Sequence, residues 1–488
     1  TMSQEIRNLE PKALWNQFAD LNAVPRPSKK EEQVIQFMKD FGNRLGLETF
    51  EDEIRNVIIR KPATPGMENR KPIVLQGHLD MVHQKNNDTV FDFETQGIEM
   101  YVDGDWVRAK GTTLGADNGL GVAAIMAVLE STDIPHPAIE ALFTIDEETG
   151  MTGALNLQGG ILQGQILLNL DTEEDDEIDI GCAGGIDVTA TAEYDEEDTP
   201  EGSVGYSITV KGLQGGHSGM DIHKGLGNAN KIMNRLLFDG FDNFGLQIAS
   251  IAGGSLRNAI PRESVAKVII AAVYDEAFVF DMQQIVNEIK AEFKTTEPNL
   301  EIVFEKLTEV PAKVMPSIAQ FYFVRSMYTA HNGVYRMSAD FDNLVETSNN
   351  IAKVIVGEGQ LTVQCLTRSS VESSKMDLAN ALRSAFELMG CEVEFSGAYP
   401  GWTPNPKSEI LDVLVGIYEK QNNAKPNVVA CHAGLECGIL GTNYPEMDMI
   451  SFGPTIHGAH SPDERASISS SQKFWKFFLE ILASIPAK

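Results

Sequence analysis

Five short stretches of this 488-residue chain place histidines and carboxylates where metal-assisted hydrolysis needs them. In Gly77-His78-Leu79-Asp80, residues two apart in an extended chain face the same way. Asp80 can therefore hold the His78 ring through its second nitrogen, as a metal-bound histidine requires. By itself this is weak, because a strand-end histidine satisfied by a carboxylate is commoner than a ligand. In Gly115-Ala116-Asp117-Asn118-Gly119, Asp117 alone reads as a helix N-cap. The flanking glycines let backbone approach a ligand closely, so this carboxylate could also bridge two cations.

Thr144-Ile145-Asp146-Glu147-Glu148-Thr149-Gly150 follows an apolar run. Neighbouring side chains diverge, so Glu148 can face a metal while Glu147 faces the water beside it; a plain acidic loop is the competing reading. Asp171 ends the apolar Ile166-Leu167-Leu168-Asn169-Leu170, and the acidic run from Glu173 to Glu177 reads as solvated loop. His460 lies in Gly458-Ala459-His460-Ser461-Pro462-Asp463-Glu464-Arg465, with His457 as a competing imidazole. Oxygen-rich donors with two histidines suit a borderline divalent pair, here two zinc ions, with cobalt or manganese as alternatives.

The elements that would position these residues alternate. Ile73-Val74-Leu75, a helical run Leu120 to Leu129, Ile139 to Ile145 and Ile166 to Leu170 predict an α/β domain with a mixed, largely parallel sheet. Ligands gather at the strand ends of such sheets. Near Asp187 the character changes to an acidic turn and then to the alternating Tyr206-Ser207-Ile208-Thr209-Val210. Further alternating runs (Val265 to Val273, Leu300 to Phe304, Gly333 to Ala339, Gly359 to Leu366) predict an α+β domain with antiparallel pairing. Gly401-Trp402-Thr403-Pro404-Asn405-Pro406 ends it, and helices near 410–420 and 472–485 return to the first domain. The expected division is 1–187 and 401–488 for the first domain, and 188–400 for the second.

Composition narrows the partners. With 39 Lys plus Arg against 70 Asp plus Glu, a formal charge of −31 repels nucleic acid and anionic membrane surfaces. No apolar run reaches the roughly 18 residues of a membrane span, and Ile6 to Phe18 carries no signal-peptide core. Five cysteines without a C-x-x-C pair fit a reducing compartment, so a cytoplasmic location is expected. The spacing of Cys431, His432 and Cys437 is irregular and a fourth partner is missing, which argues against a cysteine zinc site. No nucleophile elbow or phosphate-cradling loop is present.

Taken together, the motifs at 77–80, 115–119, 146–150, 169–171 and 460–465 resemble the dinuclear zinc peptidases that include aminoacylases and carnosinases, along the whole chain. The resemblance implies a catalytic domain (1–187 and 401–488) interrupted by a lid and dimerisation domain (188–400), that Asp117 bridges both metals, that His78 and Asp171 complete one site, and that Glu148 and His460 complete the other. It implies a cis peptide at Asp117-Asn118, and a substrate-carbonyl contact from His217 in Gly215-Gly216-His217-Ser218-Gly219. Asn258, Arg262 and Arg368 are candidates to grip the polar ends of the substrate, and the stretch containing Gly434 is placed beside its terminal carboxylate. A homodimer is implied, with His217 serving its own centre or the neighbour's.

The expected reaction is hydrolysis of dipeptides, Xaa-His among them, with Glu147 as general base, Asp80 orienting His78, and His217 with zinc stabilising the oxyanion. An amidohydrolase acting on N-acyl amino acids or β-alanyl peptides is the nearest rival. A non-catalytic binding protein on the same fold is the rival from another class.

Overall fold

The computed structural model describes residues 2–86, 88–431 and 435–488. The chain forms two compact units, Thr1–Cys182 with Trp402–Lys488, and Ala183–Gly401.

The first unit is built on an eight-stranded sheet in the order Glu48–Glu51, Val57–Lys61, Ile139–Thr144, Ile73–His78, Ile166–Asn169, Asp448–Ser451, Glu177–Cys182 and Asn427–Cys431. The four middle neighbours from Ile139–Thr144 to Asp448–Ser451 run parallel, while Glu48–Glu51 and Val57–Lys61 add an antiparallel edge. The sheet is thus mixed and largely parallel in its middle. Every residue of Ile73–His78 and Ile139–Thr144 is buried, as expected of central strands covered on both faces. Register brings their ends level: His78 lies opposite Thr144, Gln76 opposite Asn169, and Ser451 opposite Asn169. Consecutive parallel strands therefore deliver their C-terminal residues to one rim.

The helix Ala116–Glu130 is buried along its whole circumference from Ala116 to Leu129, the behaviour of a helix apolar on every side. Strand Asp448–Ser451 lies between Ile166–Asn169 and Glu177–Cys182, so the C-terminal segment is part of the first unit's own sheet. The final helix Ile468–Ala483 begins at Ser467, whose hydroxyl accepts from Ser470 N at 3.1 Å, and packs Phe474, Phe477 and Phe478 on Phe452. His460 sits in the hairpin between Ile456–His457 and Arg465–Ser467, which pairs onward with Trp106–Ala109 and Met100–Asp103.

The second unit carries a nine-stranded antiparallel sheet. Helices Ala229–Phe244, Asp275–Glu292, Ser317–Thr329 and Glu372–Leu388 contribute Leu236, Phe278, Val324 and Leu382 to its core. The units divide after Cys182 rather than at 187. The reason is that strand Gly184–Glu193 pairs with Gln360–Ser369 from its first residue, Gly184 facing Ser369. Composition changes only at the acidic turn that follows this strand, later than the topology does.

Candidate metal centre

His78 ends its strand wholly buried. Its Nδ1 lies 3.0 Å from the Asp80 carbonyl oxygen and 3.3 Å from the Asp80 carboxylate. Nε2 is thereby turned toward four carboxylates: Asp117 at 3.1 Å, Asp171 at 3.5 Å, Glu147 at 3.6 Å and Glu148 at 3.7 Å. Asp80 does more than orient the ring. Its carboxylate accepts from Ser28 Oγ at 2.6 Å, Glu147 N at 3.0 Å and Glu148 N at 3.2 Å, which fixes the backbone of both glutamates.

Asp117 stands between the two histidines, with Oδ1 toward His78 and Oδ2 3.0 Å from His460 Nε2. It lies in a kink: the backbone of Asp117 and Asn118 is non-helical inside Ala116–Glu130, and Gly115 before them is in the left-handed region at φ 77°. The Asp117-Asn118 peptide is cis. Asn118 accepts from His78 N at 2.9 Å and donates to Leu170 O at 2.7 Å, so it links the loop bearing Asp117 to two ligand-bearing strands. A Cβ at Gly77 would come within 2.6 Å of Asn118 Oδ1, which explains a glycine before His78. Glu148 Oε2 lies 2.9 Å from His460 Nε2, while Asp171 and Glu147 lie with His78 in a second group.

Two overlapping triplets, His78-Glu147-Asp171 and His78-Asp117-Glu148, bring their donor atoms within 4.8 Å of one another. Burial pushes the Glu147 and Asp171 carboxyls well up, and Glu148 up to about 7. At Asp117, burial is outweighed by the contacts with His460 and His78, and its pKa falls well below the usual range. His460, half-exposed, is pushed up to about 11 by its contacts with Asp117 and then Glu148. Glu148 Oε1 is buried with no hydrogen-bond partner among the described residues. Four buried carboxylates outnumber two imidazoles, and one carboxylate oxygen is unsatisfied. This donor set fits divalent cations, whose charge would relieve that excess. A third acidic group, Glu31-Asp80-Asp146, is engaged internally by Lys29 N, Ser28, Thr149 and Thr152.

Two contributors escape sequence reasoning. Glu464 is buried and accepts from Leu114 N at 2.8 Å, Gly115 N at 3.0 Å and Asp117 N at 3.0 Å. The segment carrying His460 thus grips the turn carrying Asp117, and the signal for it was a carboxylate four residues after the histidine. Glu173, read as solvated loop, is a further carboxyl largely withdrawn from solvent, pushed up to about 9 by burial and by Asp117 and Asp171. Of its neighbours, Glu174 faces His457 at 3.1 Å and Asp175 pairs with Lys473 at 2.8 Å.

In the second unit, His217 is half-buried and its Nδ1 accepts from Gly219 N and Met220 N, both at 3.0 Å. Nε2 therefore carries the hydrogen and can donate. Ser218 N donates to Asn258 O at 2.9 Å, and the buried Arg368 reaches Ser218 Oγ at 3.3 Å and Tyr399 Oη at 3.4 Å. Arg262 packs its stem beside Gly215. His217, Asn258, Arg262 and Arg368 are thus gathered around one turn. Gly434 lies outside the described residues.

A largely parallel sheet whose rim gathers two histidines and four buried carboxylates, in a unit interrupted by an inserted α+β unit, defines a metal-dependent hydrolase. Residues 74–484 match the model of Peptidase family M20/M25/M40, and the chain belongs to that family. It is 44% identical to the cytosol non-specific dipeptidase of Escherichia coli, over 99% of this chain and 100% of that one. The solved aminoacylhistidine dipeptidase of Vibrio alginolyticus is 45% identical, covers 99% of both chains and superposes with a TM-score of 0.96. Aminopeptidase PepT of Bacillus cereus shares the fold at 16% identity, with a TM-score of 0.56 over 98% of this chain and 99% of that one.

Proposed function

We propose that this protein is a cytoplasmic dipeptidase, cleaving Xaa-His among other dipeptides, at a centre holding two zinc ions. The observation that carries the reading is the convergence of His78, Asp117, Glu148, Asp171 and His460 on one rim, with a Glu148 oxygen unsatisfied. His78 and Asp171 would hold one ion, Glu148 and His460 the other, and Asp117, with one oxygen toward each histidine, both. The relatives' names support dipeptides as substrates. Among the described residues no helix is long and apolar enough to cross a membrane. Cytoplasmic residence rests on the Escherichia coli relative and on five cysteines without a C-x-x-C pair.

Bound cations of this kind lower the pKa of water and polarise a peptide carbonyl. Glu147 does the proton work. Its backbone is held by Asp80, and burial raises its carboxyl, which suits a group that takes a proton from water and returns it to the leaving amine. His217, with Nε2 as donor, supplies a hydrogen bond to the substrate carbonyl oxygen as charge builds there. Asn258, Arg262, Arg368 and Gly434 are assigned to the polar ends of the dipeptide.

Substrate class is tested by comparing kcat/KM for Ala-His, Ala-Ala, β-Ala-His and N-acetyl-His on enzyme of measured metal content. Both α-dipeptides should be cleaved, with N-acetyl-His at least about 100-fold slower, because a site that binds a polar group discriminates strongly against its loss. Comparable or faster turnover of N-acetyl-His would reassign the protein to acyl amino acids.

The dimer and a trans role for His217 rest on the family resemblance and are tested by mixing inactive His217→Ala with inactive Glu147→Gln subunits. In a twofold dimer with His217 acting across the interface, each mixed dimer holds one intact composite site. Random exchange makes half the dimers mixed, so activity should return to roughly a quarter of wild type. No recovery after confirmed exchange assigns His217 to its own subunit.

A further inference from the structure

Beneath the metal-facing rim, a row of buried polar side chains crosses the sheet where the flanking strand residues are apolar. Thr172 Oγ1 lies 2.6 Å from Asp179 Oδ2 and 2.7 Å from Ser451 Oγ, and Ser451 Oγ lies 2.7 Å from Asn169 Oδ1. Asn169 Nδ2 donates to Gln76 Oε1, and Gln76 Nε2 donates to Glu436 Oε1 at 2.8 Å. Thr144 Oγ1 donates to the same Glu436 oxygen at 2.7 Å. All seven residues are buried. The row meets the metal centre at Asp171, whose backbone N–H donates to Asn169 Oδ1 at 3.1 Å and whose chain neighbour is Thr172.

The direction of this row is forced. A backbone N–H can only donate, so Asn169 must present its oxygen to Asp171 and its NH2 to Gln76. Gln76 must then present its oxygen to Asn169 and its NH2 to position 436, which has to accept. On the other side, three oxygen-to-oxygen contacts join Asp179, Thr172, Ser451 and Asn169, each at hydrogen-bond length. Three contacts need three hydrogens. The amide oxygen has none, and the two hydroxyls supply one each. Were Asp179 ionised, one buried pair of oxygens would meet with no hydrogen between them.

We infer that Asp179 is a protonated carboxylic acid heading a one-way hydrogen-bond chain, Asp179 to Thr172 to Ser451 to Asn169 to Gln76 to Glu436, that positions the metal-facing Asp171. Its members are positioning residues, acting through Asn169 and Thr172. Burial agrees, pushing Asp179 up to about 7 against the pull of its bond with Thr172. Outer-shell partners of metal ligands typically affect metal affinity by about 10–100-fold. The inference rests on the metal-centre reading above for its consequence at Asp171, but not for the proton on Asp179.

The test uses the full-length protein and three variants, Asp179→Asn, Asp179→Leu and Ser451→Ala. In infrared difference spectra taken at about pH 6, below the value that burial gives the acid, Asp179→Asn should lose one neutral-carboxyl band. Its amide NH2 can still donate to Thr172, so its zinc affinity, measured by competition with a chromophoric chelator, should stay within about twofold of wild type. Asp179→Leu and Ser451→Ala should each weaken one zinc equivalent at least about tenfold and lower kcat with KM unchanged. Ser451→Ala keeps the test open if the leucine variant does not fold. An unchanged carboxyl band, or Asp179→Asn as impaired as Asp179→Leu, overturns the protonated head. Wild-type affinity in Ser451→Ala overturns the positioning role. A wild-type protein that binds no zinc would instead refute the metal centre, with the infrared result still deciding Asp179.

Discussion

Glu147→Gln should retain both metal equivalents and lose at least about 100-fold in kcat, within the range for removing a general acid-base group. The backbone of residue 147 is held by the Asp80 carboxylate and the side chain is buried, so the amide should take the position of the carboxylate with little rearrangement. What glutamine lacks is a site for the water proton and a means of returning it to the amine. The geometry sharpens the test because Glu147 also lies in a triplet of donors with His78 and Asp171. Its neighbour Glu148 faces His460 and keeps an unsatisfied oxygen, which favours Glu148 as the ligand. Metal analysis of both variants decides the matter. Metal loss in Glu147→Gln with full occupancy in Glu148→Gln would reverse the two roles.

Exhaustive chelation should abolish dipeptide turnover, and zinc, cobalt or manganese added to the stripped protein should restore it. Apart from His78 and His460, every donor on the rim is a carboxylate oxygen, a set that tolerates several borderline and harder divalent ions. Glu147, Glu148 and Asp171 are all displaced upward by burial, which marks a site where charge is expensive without compensating cations. Turnover persisting in verified metal-free protein would refute the hydrolytic scheme. Restoration by only one of the three ions would identify a selectivity that the donor types do not impose.

Most of the residues gathered at the rim were readable from short stretches of chain. An apolar strand followed at once by histidine or carboxylate is a local pattern, readable because strand period and burial act over a few residues. His78, Glu147, Glu148 and Asp171 were legible in this way, Asp117 by the glycines that flank it, and the alternation that builds a largely parallel central sheet was legible too. His460 was found by its motif, but its neighbours in space lie more than 300 residues away in the chain, at Asp117 and Glu148.

Tertiary structure alone decided how these pieces are held. Strand Asp448–Ser451 inserts between two strands of the first segment, a long-range pairing with no local signature. Glu464 caps the turn of Asp117 across the chain, and Glu173 leaves an apparently solvated run to enter the site. The boundary after Cys182 follows strand pairing rather than composition. Gln76 and Asn169 are polar residues inside apolar strands. Their partners Glu436, Ser451, Thr172 and Asp179 became apparent only in the folded sheet, because a buried polar group is satisfied by whatever packing brings beside it, not by its neighbours in sequence.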